Sequence, residues 1–284
     1  MNYSERLRIF VKGVLMGMAD TVPGVSGGTI AFITGIYERL IEGINSIDLK
    51  MPFYLFKGDF GRLKEAFFSV DFALFIPLGT GIVTAFLAFS KLMVMALQNY
   101  PAVTFGFFFG LILASALKVF GRVSEHSMGG TSFGFLGFLF GFLITGLDAL
   151  ASIHSLLMLF FAGFTAVFAL ILPGISGSFI LLILGQYEYI INAVHGFSGH
   201  LLELTVFISG GVVSLFSFSK LLSYLFRKHE DITLLFLAGL MVGSLRLPLV
   251  EVVSEVSAGL SGYALPVLAC FVGISGAYAA GSEE

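Results

Sequence analysis

The stretch Pro23-Gly24-Val25-Ser26-Gly27-Gly28-Thr29 breaks an otherwise apolar sequence, and 150 residues later Pro173-Gly174-Ile175-Ser176-Gly177-Ser178 breaks it again. Such a break cannot face lipid. Proline donates no backbone hydrogen bond, and hydrocarbon offers no partner to the polar groups that a ruptured helix exposes. Each break must therefore sit inside a bundle or line a cavity. Each is followed at the same spacing by an aromatic–acid pair, in Gly35-Ile36-Tyr37-Glu38 and in Gly185-Gln186-Tyr187-Glu188. The chain is thus built from two related halves, and matched breaks in the two halves of an apolar chain are a sequence pointer to a midplane binding site.

Hydrophobic residues make up 57% of the chain, charged residues 12%, and mean hydropathy is +0.99. A soluble domain stays near about 45–50% apolar, so the composition predicts an all-α, polytopic membrane protein. Runs of roughly the 20 residues that a spanning helix needs lie at 71–98, 102–120, 133–150, 201–226, 232–250 and 263–281. Tryptophan is absent, so any interfacial aromatic belt falls to the nine tyrosines. The basic start, Met1 to Lys12, is followed by Asp20 and Pro23 with no small-residue cleavage site, which reads as a retained N-terminus. Cys270 stands alone, which excludes an intrachain disulfide. His126, His154, His195, His200 and His229 show no ligand spacing, so neither a metal nor a cofactor is expected. A formal charge of −3 gives no reason to expect nucleic acid.

A second alignment of the halves, offset by 129, pairs Ser90-Lys91-Leu92 with Ser219-Lys220-Leu221, and Gly110 and Ser115 with Gly239 and Ser244. The drop from 150 to 129 places 21 extra residues in the first half, most simply within 45–70. There Lys50, Lys57, Arg62 and Lys64 alternate with Phe, the pattern of an amphipathic helix at the membrane surface or of a plain basic loop. The expected layout is repeat 1 at 1–150, with a re-entrant hairpin at 8–44 and three spans, and repeat 2 at 151–284, with a hairpin at 155–193 and three spans. Each repeat then crosses an odd number of times, so the copies are expected to be inverted relative to one another.

Basic residues fit that topology. With a cytoplasmic N-terminus, Arg6, Arg8, Lys12, the 45–70 segment, Lys118, Arg122, Arg227 and Lys228 fall inside, while 98–101, 151–154 and 195–200 carry no Lys or Arg. Arg246 is the exception. Lys91 and Lys220 occupy matched positions and read as snorkelling residues. Gly13/Gly17, Gly106/Gly110, Gly137/Gly141 and Gly239/Gly243 have the spacing of small-residue helix packing.

For chemistry, Pro-Gly-x-Ser-Gly gives the next helix a clean start, with Ser as its cap. The amides of Ser26 to Thr29 and of Ser176 to Ser178 are expected to point into the bundle with a helix dipole behind them, a seat for an anion such as phosphate. Intramembrane carboxylates are functional candidates by default, which singles out Asp20, Glu38 and Glu188. Glu38 and Glu188 rank first because they recur with the repeat, each beside a tyrosine, Tyr37 and Tyr187. Arg39 is a candidate bidentate partner for phosphate.

Gly17-Met18-Ala19-Asp20-Thr21-Val22-Pro23-Gly24-Val25-Ser26-Gly27-Gly28-Thr29-Ile30-Ala31, continuing through Gly35-Ile36-Tyr37-Glu38-Arg39-Leu40, closely resembles the signature of the PopT-type polyprenyl-phosphate transporter family. The match is long at 13–41 and is echoed at 172–191. The resemblance implies a transporter of the prokaryotic plasma membrane that returns undecaprenyl phosphate from the outer to the inner leaflet, with H⁺ or Na⁺ as a possible coupling ion. Two rivals stay open. One is an H⁺- or Na⁺-coupled carrier of a small anion. The other is a polyprenyl-diphosphate phosphatase, whose own Pro-Gly-x-Ser element continues with arginine where this chain has Gly27 and Gly177.

Overall fold

A computed structural model of the chain describes residues 3–22, 24–125, 127–147, 155–256 and 262–281. Pro23, His126, His154, the end of the 133–150 span and the 151–154 connection lie outside them. The described residues are helical, without strands: α1 (Tyr3–Asp20), α2 (Gly27–Ile33), α3 (Tyr37–Asn45), α4 (Met51–Phe56), α5 (Phe60–Phe68), α6 (Phe72–Asn99), α7 (Pro101–Gly121) and α8 (Met128–Ile144) precede α9 (Leu156–Ile171), α10 (Gly177–Ile183), α11 (Tyr187–His195), α12 (Leu201–Lys228), α13 (Glu230–Ser244), α14 (Arg246–Glu255) and α15 (Ala264–Ala280). Among them α6, α7, α12 and the consecutive pair α13–α14 are long and apolar enough to cross a bilayer, and α10–α11 makes a fifth span if its two pieces count as one. The chain is a polytopic membrane protein. Helices α8 and α15, expected as spans, are apolar but have 17 residues each.

Four close helix pairs build the bundle: α1 with α6, α9 with α12, α7 with α15, and α8 with α13. Helices in lipid gain nothing from hiding apolar surface from one another, so contact depends on close packing, and small residues permit it. A methyl group on Gly13 or Gly17 would strike the backbone of α6 at Leu78 or Ile82, and one on Gly210 would strike α9 at Phe160. Gly106 and Gly110 face Pro266 and Cys270, while Gly137, Gly141, Gly239 and Gly243 interlock α8 with α13. All four glycine pairs read from spacing lie at such seams. The pairing also crosses the halves, since α7 takes α15 and α13 takes α8.

Ion pairs give the helix directions. Arg39 on α3 meets Asp71, the N-cap of α6, at 3.0 Å, while Glu42 on the same helix meets Arg227 in the last turn of α12 at 3.6 Å. Helices α6 and α12 therefore leave α3 in opposite chain directions. In the same way Glu38 meets Arg122, just past α7, and Asp231 in the first turn of α13 accepts from the Ser124 and Glu125 amides at 2.8 and 3.1 Å.

Three expectations change in detail. The arm at 26–44 is not one helix: the chain turns at Gly35, φ +66°, and restarts as α3. Its counterpart turns at Gly185, φ +63°, and α10 and α11 diverge by 112°. Glycine tolerates that left-handed backbone, which any Cβ would resist. The 232–250 span extends to Glu255, with its helix interrupted at Leu245. The 45–70 segment forms two short helices, α4 and α5, separated at Gly58 (φ +68°) and capped by Asp59, whose carboxylate accepts from the Arg62 amide.

Candidate functional site

Both breaks form as turns with the same backbone shape. After α1, Gly24 takes φ +86°, and Ser26 is extended at the N-cap of α2; after α9, Gly174 takes φ +93°, and Ser176 is extended before α10. Gly24, Val25, Ser26, Gly27, Gly28 and Thr29 are buried, as are Pro173, Gly174, Ile175, Ser176 and Gly177, and Ser178 is half-buried. The two turns touch. Ser26 donates its hydroxyl to the Leu172 carbonyl at 3.2 Å, Thr29 Oγ1 accepts from the Gly174 amide at 2.8 Å, and the Tyr37 hydroxyl donates to the Ile171 carbonyl at 3.0 Å. The first break supplies two side chains, and α3 a third, to backbone groups that the second break leaves open. Helix ends expose such groups, and buried ones need partners.

The anion seat expected at the first break is already taken by the chain itself. Asp20 Oδ1 accepts from the Gly27 amide at 2.7 Å, Ser26 Oγ accepts from the Gly28 amide at 3.1 Å, and the Thr29 amide turns back to the Ser26 carbonyl. Gly27 has to be glycine, because a Cβ would press on the Asp20 carboxylate. The second copy differs. Leu170 stands at the position matching Asp20, Ser176 makes no capping bond, and its hydroxyl pairs with that of Ser178 at 2.8 Å.

Beside the meeting turns lies a cavity of about 250 Å³ bounded by α1, α3, α6, α9 and α12. Its wall is mostly aliphatic and aromatic, with Leu78, Ile82, Leu170 and Leu215 contributing, and Asp20 and Tyr37 are its titratable members. A carboxylate in so apolar a place marks a functional site by default.

The recurrent acids lie elsewhere. Glu38 pairs with Arg122 at 2.6 Å with nearly half of each side chain exposed, Arg39 bridges Asp71 and Glu5, and Glu188 is exposed. Tyr187 is half-buried at the start of α11. Of the residues singled out in sequence, the structure therefore brings together the two turns, Asp20 and Tyr37, and sets Glu38, Arg39 and Glu188 apart. It adds Thr29 as a joint between the breaks, and basic side chains that satisfy helix ends: Lys12 on the Thr34 carbonyl, Lys118 on Ala277 and Arg246 on Phe142. Arg246, awkward for topology, is thereby occupied at the C-terminus of α8, where a cation is favoured. Asp20 and Thr29 share a signal that sequence reading passed over: both depart from the repeat, facing Leu170 and Phe179 in the other copy. Among the described residues no cluster of His, Cys, Asp and Glu could hold a metal ion.

The model of the undecaprenyl phosphate translocase-like family matches residues 16–261, a stretch that includes both breaks and the cavity. The chain belongs to this family. A relative from Vibrio cholerae serotype O1, named polyprenyl-phosphate transporter, is 40% identical over 245 residues, covering 86% of this chain and 77% of the relative. A Staphylococcus aureus protein of the same name is 30% identical over 254 residues, covering 83% of each. No solved structure matches.

Proposed function

We propose that this chain carries polyprenyl phosphate across the membrane, with the phosphate passing the two meeting turns and the isoprenoid tail lying along the apolar cavity. The observation that carries the reading is the contact between the breaks: two interrupted helices join inside the bundle, beside a cavity that suits a hydrocarbon tail, in a member of this family. A lipid with a charged head needs both an apolar path and buried polar partners for the head. In this reading Gly24, Ser26, Thr29, Gly174, Ser176, Gly177 and Ser178 form the head's path, together with Val25, Gly28, Pro173 and Ile175, which shape the turns.

The two halves act as inverted copies, a reading favoured by the opposite directions of α6 and α12 past α3. Arg39, Arg122 and Arg227 gather at the α3 end, where the positive-inside preference puts the cytoplasm and hence the N-terminus of a plasma-membrane protein. We assign the direction of transport as outer to inner leaflet, with Arg39 and Arg122 exchanging carboxylate for phosphate as the head arrives. Glu38 and Glu188 then act at the two ends of the path rather than at its middle. Transport, not ester cleavage, fits Gly27 and Gly177 at the positions where a phosphatase would present arginine.

The test is reconstitution in liposomes with a fluorescent polyprenyl phosphate, following movement between leaflets. Protein-dependent movement of the monophosphate, and not of inorganic phosphate, is the expected result. Equal rates for the diphosphate or the neutral alcohol would overturn a monophosphate path, and movement of inorganic phosphate alone would favour the small-anion carrier.

A further inference from the structure

We propose that Asp20 is the proton-binding group of the transport path, and that it takes up a proton when the lipid phosphate enters and returns it when the phosphate leaves. This rests on the preceding reading of the cavity and adds to it the coupling ion and the atom that carries it.

The recurrent glutamates favoured by the repeat are poor candidates for this role. Glu38 is balanced by Arg122 at 2.6 Å, and Glu188 is exposed to its surroundings. Asp20 is the carboxylate that lines the cavity. Its hydrogen bond comes from a neutral amide, that of Gly27, and among the described residues no basic side chain pairs with it.

The elements around it offer no relief. On α1 the ammonium of Lys12 is directed to the Thr34 carbonyl, and on α3 the Tyr37 hydroxyl is given to Ile171. The charged residues of α3, namely Glu38, Arg39 and Glu42, are engaged with Arg122, Asp71 and Arg227 at the outer end of that helix. From α6, α9 and α12 the cavity receives Phe75, Leu78, Ile82, Leu170 and Leu215, which neither titrate nor carry charge.

A phosphate entering this cavity would meet an uncompensated negative charge. Two like charges roughly 5 Å apart, at the effective dielectric of about 20 that suits partly buried sites, weaken binding by about 200-fold. Protonation removes the conflict with little rearrangement. The neutral acid keeps a carbonyl oxygen for the Gly27 amide, and its new O–H can donate to a phosphate oxygen. The proton is taken from water as the head enters and is released to water at the opposite leaflet, which returns Asp20 to the carboxylate it began as.

The experiment uses the purified full chain in detergent, a fluorescent polyprenyl phosphate as probe, and lightly buffered solution with a pH dye. Wild-type affinity should fall about 200-fold from acidic to alkaline pH, with protons taken up on binding. Asp20→Asn keeps the acceptor for Gly27 and has no charge, so its affinity should hold nearly level and its proton uptake should drop. The lipid phosphate titrates identically with both proteins, so the difference between them isolates Asp20. An Asp20→Asn profile superimposable on that of wild type, or wild-type binding without proton uptake, would overturn the proposal; the second measurement stands even if the variant does not fold. A wild-type protein that binds no polyprenyl phosphate at any pH would instead overturn the transport reading on which it depends.

Discussion

At the scale of single residues, the joint between the two breaks depends on a few hydrogen bonds made in a place where water cannot substitute. Tyr37→Phe removes the donor to the Ile171 carbonyl and leaves shape unchanged, so the expected loss is about 1–3 kcal/mol, the price of an unpaired buried acceptor. Thermal unfolding in detergent should show it, and an unchanged midpoint would mean that the Tyr37 bond contributes nothing. Gly174→Ala forces a Cβ into φ +93° and against Met241 and Ser244, with roughly 1–2 kcal/mol from the backbone alone. The same assay should register a fall for Gly174→Ala.

What could be read at this scale followed from repetition. Gly24, Ser26, Gly174 and Ser176 stand out because each occurs twice, and the structure gives both copies the same backbone shape. Repetition also marked Glu38 and Glu188, which stand at helix starts away from the turns. Asp20 and Thr29 were harder to weigh because their importance lies in having no counterpart: each fills a need of one break that the other break does not share.

Among elements, the seams are set by glycine. Gly239→Leu should separate α13 from α8, because its Cβ points into the backbone at Gly134. Gly276 on α15 faces open space, so Gly276→Leu serves as the matched control. Size-exclusion chromatography after extraction should give aggregated or lost protein for the first and a wild-type peak for the second; a wild-type peak for both would mean that α8 and α13 tolerate a wider spacing. These seams were legible as spacing, but which helix each glycine stripe would meet was not, since a stripe carries no address. The bends at Gly35 and Gly185 escaped for a related reason. A lone glycine inside an apolar run is compatible with continuous helix, and only the backbone dihedral reveals the turn.

For the whole molecule, α3 is held to its surroundings by Arg39–Asp71, Glu38–Arg122 and Glu42–Arg227, which reach α6, the end of α7 and α12. Each pair is substantially exposed, so each is worth under about 1 kcal/mol. Arg122→Glu should therefore leave thermal stability nearly unchanged while slowing lipid movement in liposomes, and the exchange Glu38→Arg with Arg122→Glu should restore part of the rate. A single variant with wild-type transport would remove these residues from the head's path. The likeness of the two breaks was visible in the sequence because an offset of 150 can be counted, and both copies take the same backbone shape. The interlocking of the molecule was not, because partner choice is decided by packing at a distance along the chain.

That interlocking bears on how the protein is made. Helix α7 emerges early from the ribosome with its Gly106–Gly110 face shaped for α15, which is translated some 140 residues later. Until then this groove has no cover other than lipid or a holding factor, so assembly cannot be completed half by half and must wait for α15 to arrive.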